Sequence, residues 1–266
     1  MDLKKYAFLP DIHCGYEFDD ENYTFTESHD ATLLRKVVAC MVRFKPDYIV
    51  FGGDQINLSC ISRWTTGKPR MIEGRRIEED YEFFLNLVWK PLLQKINHNW
   101  HAIWLEGNHE ERLRELAHRN PQLAGLLTHE KLLATVGISQ TAMQYVHTGK
   151  LWRPPNAKVW FTHGHIYASG TNPAKNIVEA YGRSVRAGHF HRHMTWTRNV
   201  AADREDFHTG IISAPLCRPN LPYAKNKPSS NQQGFMTGYY DPTSGFFWDT
   251  HTSVIDGHFI HEGRLY

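Results

Sequence analysis

Long apolar runs are what this chain lacks first. Nowhere in its 266 residues do apolar side chains approach the roughly 18 in succession that a membrane span needs, so no membrane partner is expected. The opening MDLKKYAFLP has a basic pair but no apolar core or small-residue cleavage site after it, and does not read as a secretory signal. Cysteine is scarce. The four present (Cys14, Cys40, Cys60, Cys217) show no Cys-x-x-Cys spacing, which excludes a disulfide framework and predicts free thiols in a reducing cytoplasm. An excess of one charge is also missing: the formal net charge is +2, so no global field favours nucleic acid or a lipid surface. Any such preference must come from a local patch. Internal repeats and low-complexity tracts are absent as well.

What is present suits a soluble globular chain able to bury a core, with 41% hydrophobic and 22% charged residues. The elements alternate between strand and helix. Lys5 to Asp11 predicts a short buried strand, Gly15 to Thr26 a polar, acidic loop, and Ala31 to Phe44 a helix with Ser28 as its cap. Tyr48 to Phe51 is a strand-length apolar run. A long connection covers Asn57 to Gly74, and a helix is predicted from about Ile77 to Leu93 behind the acidic Glu78-Glu79-Asp80. Trp100 to Leu105 is a third strand, with helical patterns over Glu110 to Ala117 and Leu123 to Thr135. Strands at Val159 to Thr162 and Ser184 to Ala187 flank a helix from Ala174 to Tyr181. Beyond about residue 194 the pattern becomes strand and turn: Gly210 to Ala214, Gly234 to Tyr240, Phe246 to Thr250, with a turn over Asp241 to Gly245. Leu221 to Gln233 is linker-like without requiring a boundary, so 1–266 is expected to be one domain with a β-rich C-terminal part.

Chemistry-bearing residues gather where these strands end. Asp11-Ile12-His13 follows the first, Gly52-Gly53-Asp54 the second, and Gly107-Asn108-His109-Glu110 the third. His163-Gly164-His165 and Gly188-His189-Phe190-His191 follow the next two. Open α/β sheets place their ligands at the carboxyl ends of strands. In an extended segment, histidines at i and i+2 face the same side. Taken singly, Asp11, Asp54 and Asn108 are ordinary turn residues, and a chain with 17 histidines contains chance His-x-His pairs. All five clusters in this order are not an ordinary coincidence. Mixed carboxylate, amide and imidazole donors suit a catalytic metal pair, and the lack of cysteine among them argues against a structural zinc site.

The order Asp-x-His, Gly-Asp, Gly-Asn-His-Glu, His-Gly-His, Gly-His-x-His resembles the signature of the calcineurin-like metallophosphoesterases, from Asp11 through His191. The resemblance implies a four-layer α-β-β-α sandwich and a metal-dependent phosphoric ester hydrolase with two divalent ions. Manganese is the expected activating ion, with iron, zinc or nickel compatible. Asp11, His13 and His191 would hold the first ion, Asn108, His163 and His189 the second, and Asp54 would bridge. A hydroxide between the ions would attack, and His109 would protonate the leaving oxygen. His165 and His193 are expected beside the site rather than in it, and Cys14 as a small buried hydrophobe.

In the protein-phosphatase branch the Gly-Asp motif runs on into an Asp-Arg pair that assists the catalytic histidine and grips the phosphate. Asn57 and Leu58 stand there instead. This implies loss of that arginine contact and greater similarity to small bacterial and phage phosphodiesterases and nucleases. The expected substrate is therefore a phosphodiester, of a nucleotide or nucleic acid. A phosphomonoester or nucleoside polyphosphate is the alternative, and a non-catalytic interaction module of the same fold is disfavoured by the intact ligand set. Arg63, Trp64, Arg70, Arg75 and Arg76, with Lys68, are the candidate substrate contacts, since cations with an aromatic suit a phosphate backbone and a stacked base. A solvated loop salt-bridged to Glu78, Glu79 and Asp80 is the bland alternative. Arg183 and Arg186 form a second basic candidate.

Overall fold

A computed structural model describes residues 2–139, 141–168, 170–200, 203–222 and 231–266. The strands Lys4–Leu9 (β1), Tyr48–Phe51 (β4), His101–Leu105 (β5) and Gln144–Val146 (β6) run parallel in one sheet. Two antiparallel strands, Gln233–Tyr240 (β11) and Phe247–Val254 (β12), extend it beyond β1 to give the order β12-β11-β1-β4-β5-β6. A hairpin of Tyr16–Asp19 (β2) and Thr24–Glu27 (β3) stands apart. The second sheet orders Val159–Phe161 (β7), Ser184–Ala187 (β8), Asp203–Ile212 (β10) and Met194–Val200 (β9) side by side. The C-terminal residues add a small hairpin, Ile260–His261 (β13) with Arg264–Leu265 (β14).

Side-chain alternation along β1 shows why the layers form. Tyr6 and Phe8 point to one face and Ala7 and Leu9 to the other, and all four are buried. The Tyr6 and Phe8 face packs with Val50, Ile103 and Met236 against Val159, Phe161 and Ile211 of the second sheet. The Ala7 and Leu9 face is covered by the helices Ala31–Phe44 (α1), Ile77–Phe84 (α2), Lys90–Lys95 (α3) and His129–Thr135 (α5). Glu111–Arg119 (α4) follows β5. On the far side, Pro173–Tyr181 (α6) packs Ala174, Ile177 and Val178 against Val185, Ala187 and Ile212. The result is the expected four-layer α-β-β-α sandwich.

Several local expectations are corrected. The residues read as a loop from Gly15 to Thr26 form the β2–β3 hairpin, because Phe18 pairs across it with Phe25, ring centroids 5.3 Å apart, and the Asp19 carboxylate closes the turn by accepting the amides of Glu21 and Asn22. The cap of α1 is Asp30, which accepts the amide of Leu33, and not Ser28. The helix begun at Ile77 continues through a π turn, Leu85–Trp89, which ends two residues before Pro91, a residue with no amide to give the preceding turn. Helix α5 starts at His129, capped by Thr128, later than Leu123. Strand β6, three residues long, was too short to announce itself by alternation. Of the linker-like stretch 221–233, residues 223–230 lie outside the described residues. Among the described residues no helix is long and apolar enough to cross a membrane.

Candidate metal centre

Strands β1, β4 and β5 end beside the carboxyl ends of β7 and β8, so the two sheets deliver their terminal loops to one place. The backbone there is bent hard. Asp11, His13, Asp54, His189 and His191 all hold positive φ, between 50° and 73°. Non-glycine residues take that left-handed region at a cost, and clusters of them mark functional sites. Two of the glycines permit close approach rather than turning. A Cβ at Gly107 would run into the Asp54 carboxylate and backbone nitrogen, and one at Gly188 into Asp11 Oδ2.

The seven expected ligands converge. His13 Nε2 lies 3.2 Å from His191 Nε2, and His191 Nε2 lies 3.7 Å from Asp11 Oδ1. On the other side His163 Nε2 lies 3.1 Å from Asn108 Oδ1, and His163 groups with Asp54 and His189 in a set whose donor atoms are all within 4.8 Å of one another. Asp54 stands between the sets: its Oδ2 is 4.0 Å from His13 Nε2 and 3.2 Å from His163 Nε2.

Hydrogen bonds behind the rings aim them. His13 Nδ1 meets Asn57 Oδ1 at 3.2 Å, and His163 Nδ1 meets the Gly52 carbonyl at 2.9 Å, so each Nε2 faces inward. The Cys217 thiol sits 4.0 Å from His191 Nδ1, behind that ring. The Asp11 carboxylate accepts the His189 amide, and Asp54 Oδ1 accepts the His109 amide at 2.8 Å. Glu110 ties the loops together. Buried at 1% exposure, its carboxyl accepts the amides of Asp54, Gln55 and Gly107.

The carboxylates and burial pull the rings of this pocket in opposite directions: burial also opposes charge on His191, but Cys217 and Asp11 draw it well above its ordinary value. Burial lowers His13 and His189 to about 4, leaving neutral rings with free lone pairs. For His163 burial also works downward, but the Asp54 carboxylate overrides it and draws the ring up to about 9. Burial opposes ionisation of Asp54, yet its histidine neighbours hold it well below the usual carboxylate range. Two ionised carboxylates, one amide oxygen and four imidazoles, two of them (His13 and His163) aimed from behind, fit a pair of divalent ions.

His109 is outside the expected ligand set, although it groups with His13 and Asp54, their donor atoms all within 4.8 Å of one another. Its Nδ1 donates to the Asn57 carbonyl at 2.6 Å, and its Nε2 lies 3.9 Å from Asp54 Oδ2. Burial, reinforced by Arg112, holds the ring well below its ordinary pKa. Arg112 was missed by sequence reasoning. It donates to the Asn57 carbonyl at 2.7 Å and to His109 Nε2 at 2.9 Å, so an arginine does reach this histidine, from α4 and not from the position of Leu58. The spacing was the available signal, since residues three apart share a helical face. Leu58 is fully buried.

A groove of about 1470 Å³ opens over the centre. Its lining includes Trp64 and Lys68 from the long connection, and Glu17, Asp19, Asp20 and Glu21 from the β2–β3 hairpin. The other proposed contacts are occupied elsewhere. Arg70 lies over the Tyr23 ring, Arg75 over Tyr16 and Phe25, and Arg63 over its neighbour Trp64. Arg76 is the residue preceding α2. Arg183 lies over Trp160, and Arg186 is sealed between the sheets. His165 approaches Glu111 at 3.3 Å, and His193 stacks on His251 with centroids 3.9 Å apart.

Residues 4–212 match the calcineurin-like phosphoesterase family. Among solved structures, a dimetal phosphatase from Danio rerio (LOC 393393) is similar over 89% of this chain and 92% of its own, with 11% identity and a TM-score of 0.40. No curated protein matches.

Proposed function

Because the chain belongs to the calcineurin-like phosphoesterase family, we propose that it hydrolyses phosphodiester bonds, those of a nucleotide or a short nucleic-acid segment, with manganese as an activating ion. The observation that carries this is the placement of Asp54 Oδ2 between two histidine sets. Asp11, His13 and His191 would hold one ion and Asn108, His163 and His189 the other, with Asp54 shared. Bound there, such ions neutralise phosphoryl oxygens and supply an activated water.

The remaining work falls to the chain itself. Asn57 fixes the ring of His13 through its side chain and that of His109 through its carbonyl. His109 would give a proton to the leaving oxygen from Nε2, which must first take one up as the substrate phosphate enters, because its Nδ1–H is held by the Asn57 carbonyl and its Nε2 accepts from Arg112. Trp64, exposed on the groove, offers a face for a base. The acidic hairpin opposite disfavours a long polyanion along that wall and supports a nucleotide-sized substrate. One observation favours a phosphomonoester instead: the Arg112 guanidinium beside His109 suits a more highly charged phosphate.

A manganese-supplemented panel decides. Phosphomonoester, linear phosphodiester, cyclic nucleotides, and single- and double-stranded DNA are compared, with metal content measured in parallel. The expected result is diester hydrolysis abolished by chelator. Protein that takes up no stoichiometric metal, or whose hydrolysis ignores chelator, sinks the proposal.

A further inference from the structure

Arg186 is buried and Arg112 half-buried, and their partners differ. Arg186, at 1% exposure, is closed off: its Nε meets Asp249 Oδ2 at 2.6 Å, its Nη2 meets Asp249 Oδ1 at 3.2 Å, and Thr209 takes further donors. This is a neutralised structural pair. Arg112 has no counterpart to Asp249. Among the described residues no carboxylate comes within 4.0 Å of its guanidinium. Its two hydrogen-bond partners, the Asn57 carbonyl and His109 Nε2, are neutral. The carboxylates of Asp54, Glu17, Glu110 and Glu115 support its charge only from beyond that distance, so the guanidinium has no directly contacting anion and one beside it is favoured.

Position makes the anion specific. Arg112 lines the groove in company with His13, Asp54, Asn108, His109, His189 and His191. Its Nη2 is 2.9 Å from His109 Nε2, which is itself 3.9 Å from Asp54 Oδ2. The guanidinium therefore borders the same small space that a phosphoryl group must occupy to meet both Asp54's ions and His109. A planar fork with five donors can keep Nη1 on Asn57 while offering its Nη2 edge to an oxygen.

We propose that Arg112 is a phosphate-binding residue, taking a non-bridging oxygen of the substrate on the Nη2 edge of its guanidinium. It would thereby replace the arginine contact that Leu58 cannot make. The assignment rests on the phosphoesterase reading above. When Nη2 turns to the phosphate, the Nε2 side of His109 is left open to the leaving-group oxygen.

The test is titration of manganese-loaded protein with inorganic phosphate by calorimetry, with metal content measured on each sample. Arg112→Ala should keep both ions and weaken phosphate binding by about 10- to 100-fold, the range for a hydrogen bond to a charged group. Arg112→Gln serves if the alanine variant fails to fold. Arg112→Lys should recover only part, since an ammonium lacks the fork. Added guanidinium should partly restore diester turnover to Arg112→Ala and not to His109→Gln. Phosphate affinity within about threefold of wild type in either neutral variant, both ions retained, overturns the proposal. So does loss of the ions together with the affinity, which would make Arg112 a support of the metal centre. A wild type that binds phosphate but cleaves no ester defeats the functional reading alone, because the titration still decides Arg112.

Discussion

On the floor of the groove, Asp11, His13, Asp54, His189 and His191 hold strained positive-φ backbone, with His13 pinned from behind by Asn57, His163 by Gly52 and Asp54 by Glu110. On its wall, Arg70 and Arg75 are spread over the rings of Tyr23, Tyr16 and Phe25, and the hairpin they cover carries exposed acids. The floor stores strain to bring donors together, and the wall is assembled by stacking between a loop and a hairpin. Changes on the floor should therefore alter chemistry, and changes on the wall should alter stability or substrate choice. Each of the following substitutions can break that division.

The largest effect is expected from Asp54→Asn, the residue common to both ligand sets. Loss of several kcal/mol of charge stabilisation corresponds to a turnover decrease on the order of 10³-fold or more, beyond that of His13→Ala or His189→Ala alone. Elemental analysis should show both ions weakened. Two bound ions with normal turnover would remove the bridging assignment.

His109→Gln comes next, keeping the ions but lowering turnover by roughly 10²–10⁴ on an alkyl diester. A nitrophenyl diester, whose leaving group needs little protonation, should lose clearly less. Equal losses on the two, with metals bound, would defeat the general-acid role.

Asp80 lies at the base of the wall, where its carboxyl accepts the Leu58 amide at 2.8 Å. Burial pushes it up to about 8. The folded state then binds more protons than the unfolded between an ordinary carboxylate pKa and about 8, so the contribution is full at low pH and lost as pH rises through that window. Over it, wild-type stability should fall with pH by up to about 1.4 kcal/mol per unit more steeply than that of Asp80→Asn. Chemical denaturation from pH 5 to 9 checks this, and parallel slopes would show that Asp80 is ionised throughout.

The smallest effect belongs to Arg70→Ala, expected to cost about 0.5–1 kcal/mol through its lost stacking and to leave diester turnover unchanged. If it instead weakens DNA binding and reduces its salt dependence, the wall is a substrate surface and the division fails.

The floor was legible because its chemistry is local. Each ligand immediately follows a strand, and the small residues beside the ligands (Gly53, Gly107, Gly164, Gly188) sit where close approach or φ demands them. Periodicity likewise announced α1, β4 and β5. The wall was not legible: a run of cations reads identically whether it faces substrate or lies on aromatic rings, and Tyr16 to Glu27 concealed a hairpin under polar composition. The same limit hid Arg112, which the carbonyl of residue 57 holds in place.

What the sequence by itself determined is the donor set, its order and its placement at strand ends, since these depend on residue type and short-range backbone geometry. The tertiary structure alone decided which donors come together, with Asp54 Oδ2 lying near both His13 and His163. It alone turned Arg70 and Arg75 onto the hairpin and Arg186 onto Asp249, and it carried Arg112 to the Asn57 carbonyl. Those choices are contacts between segments distant in the chain, fixed by how two sheets stack and where their loops meet, and no local pattern encodes them.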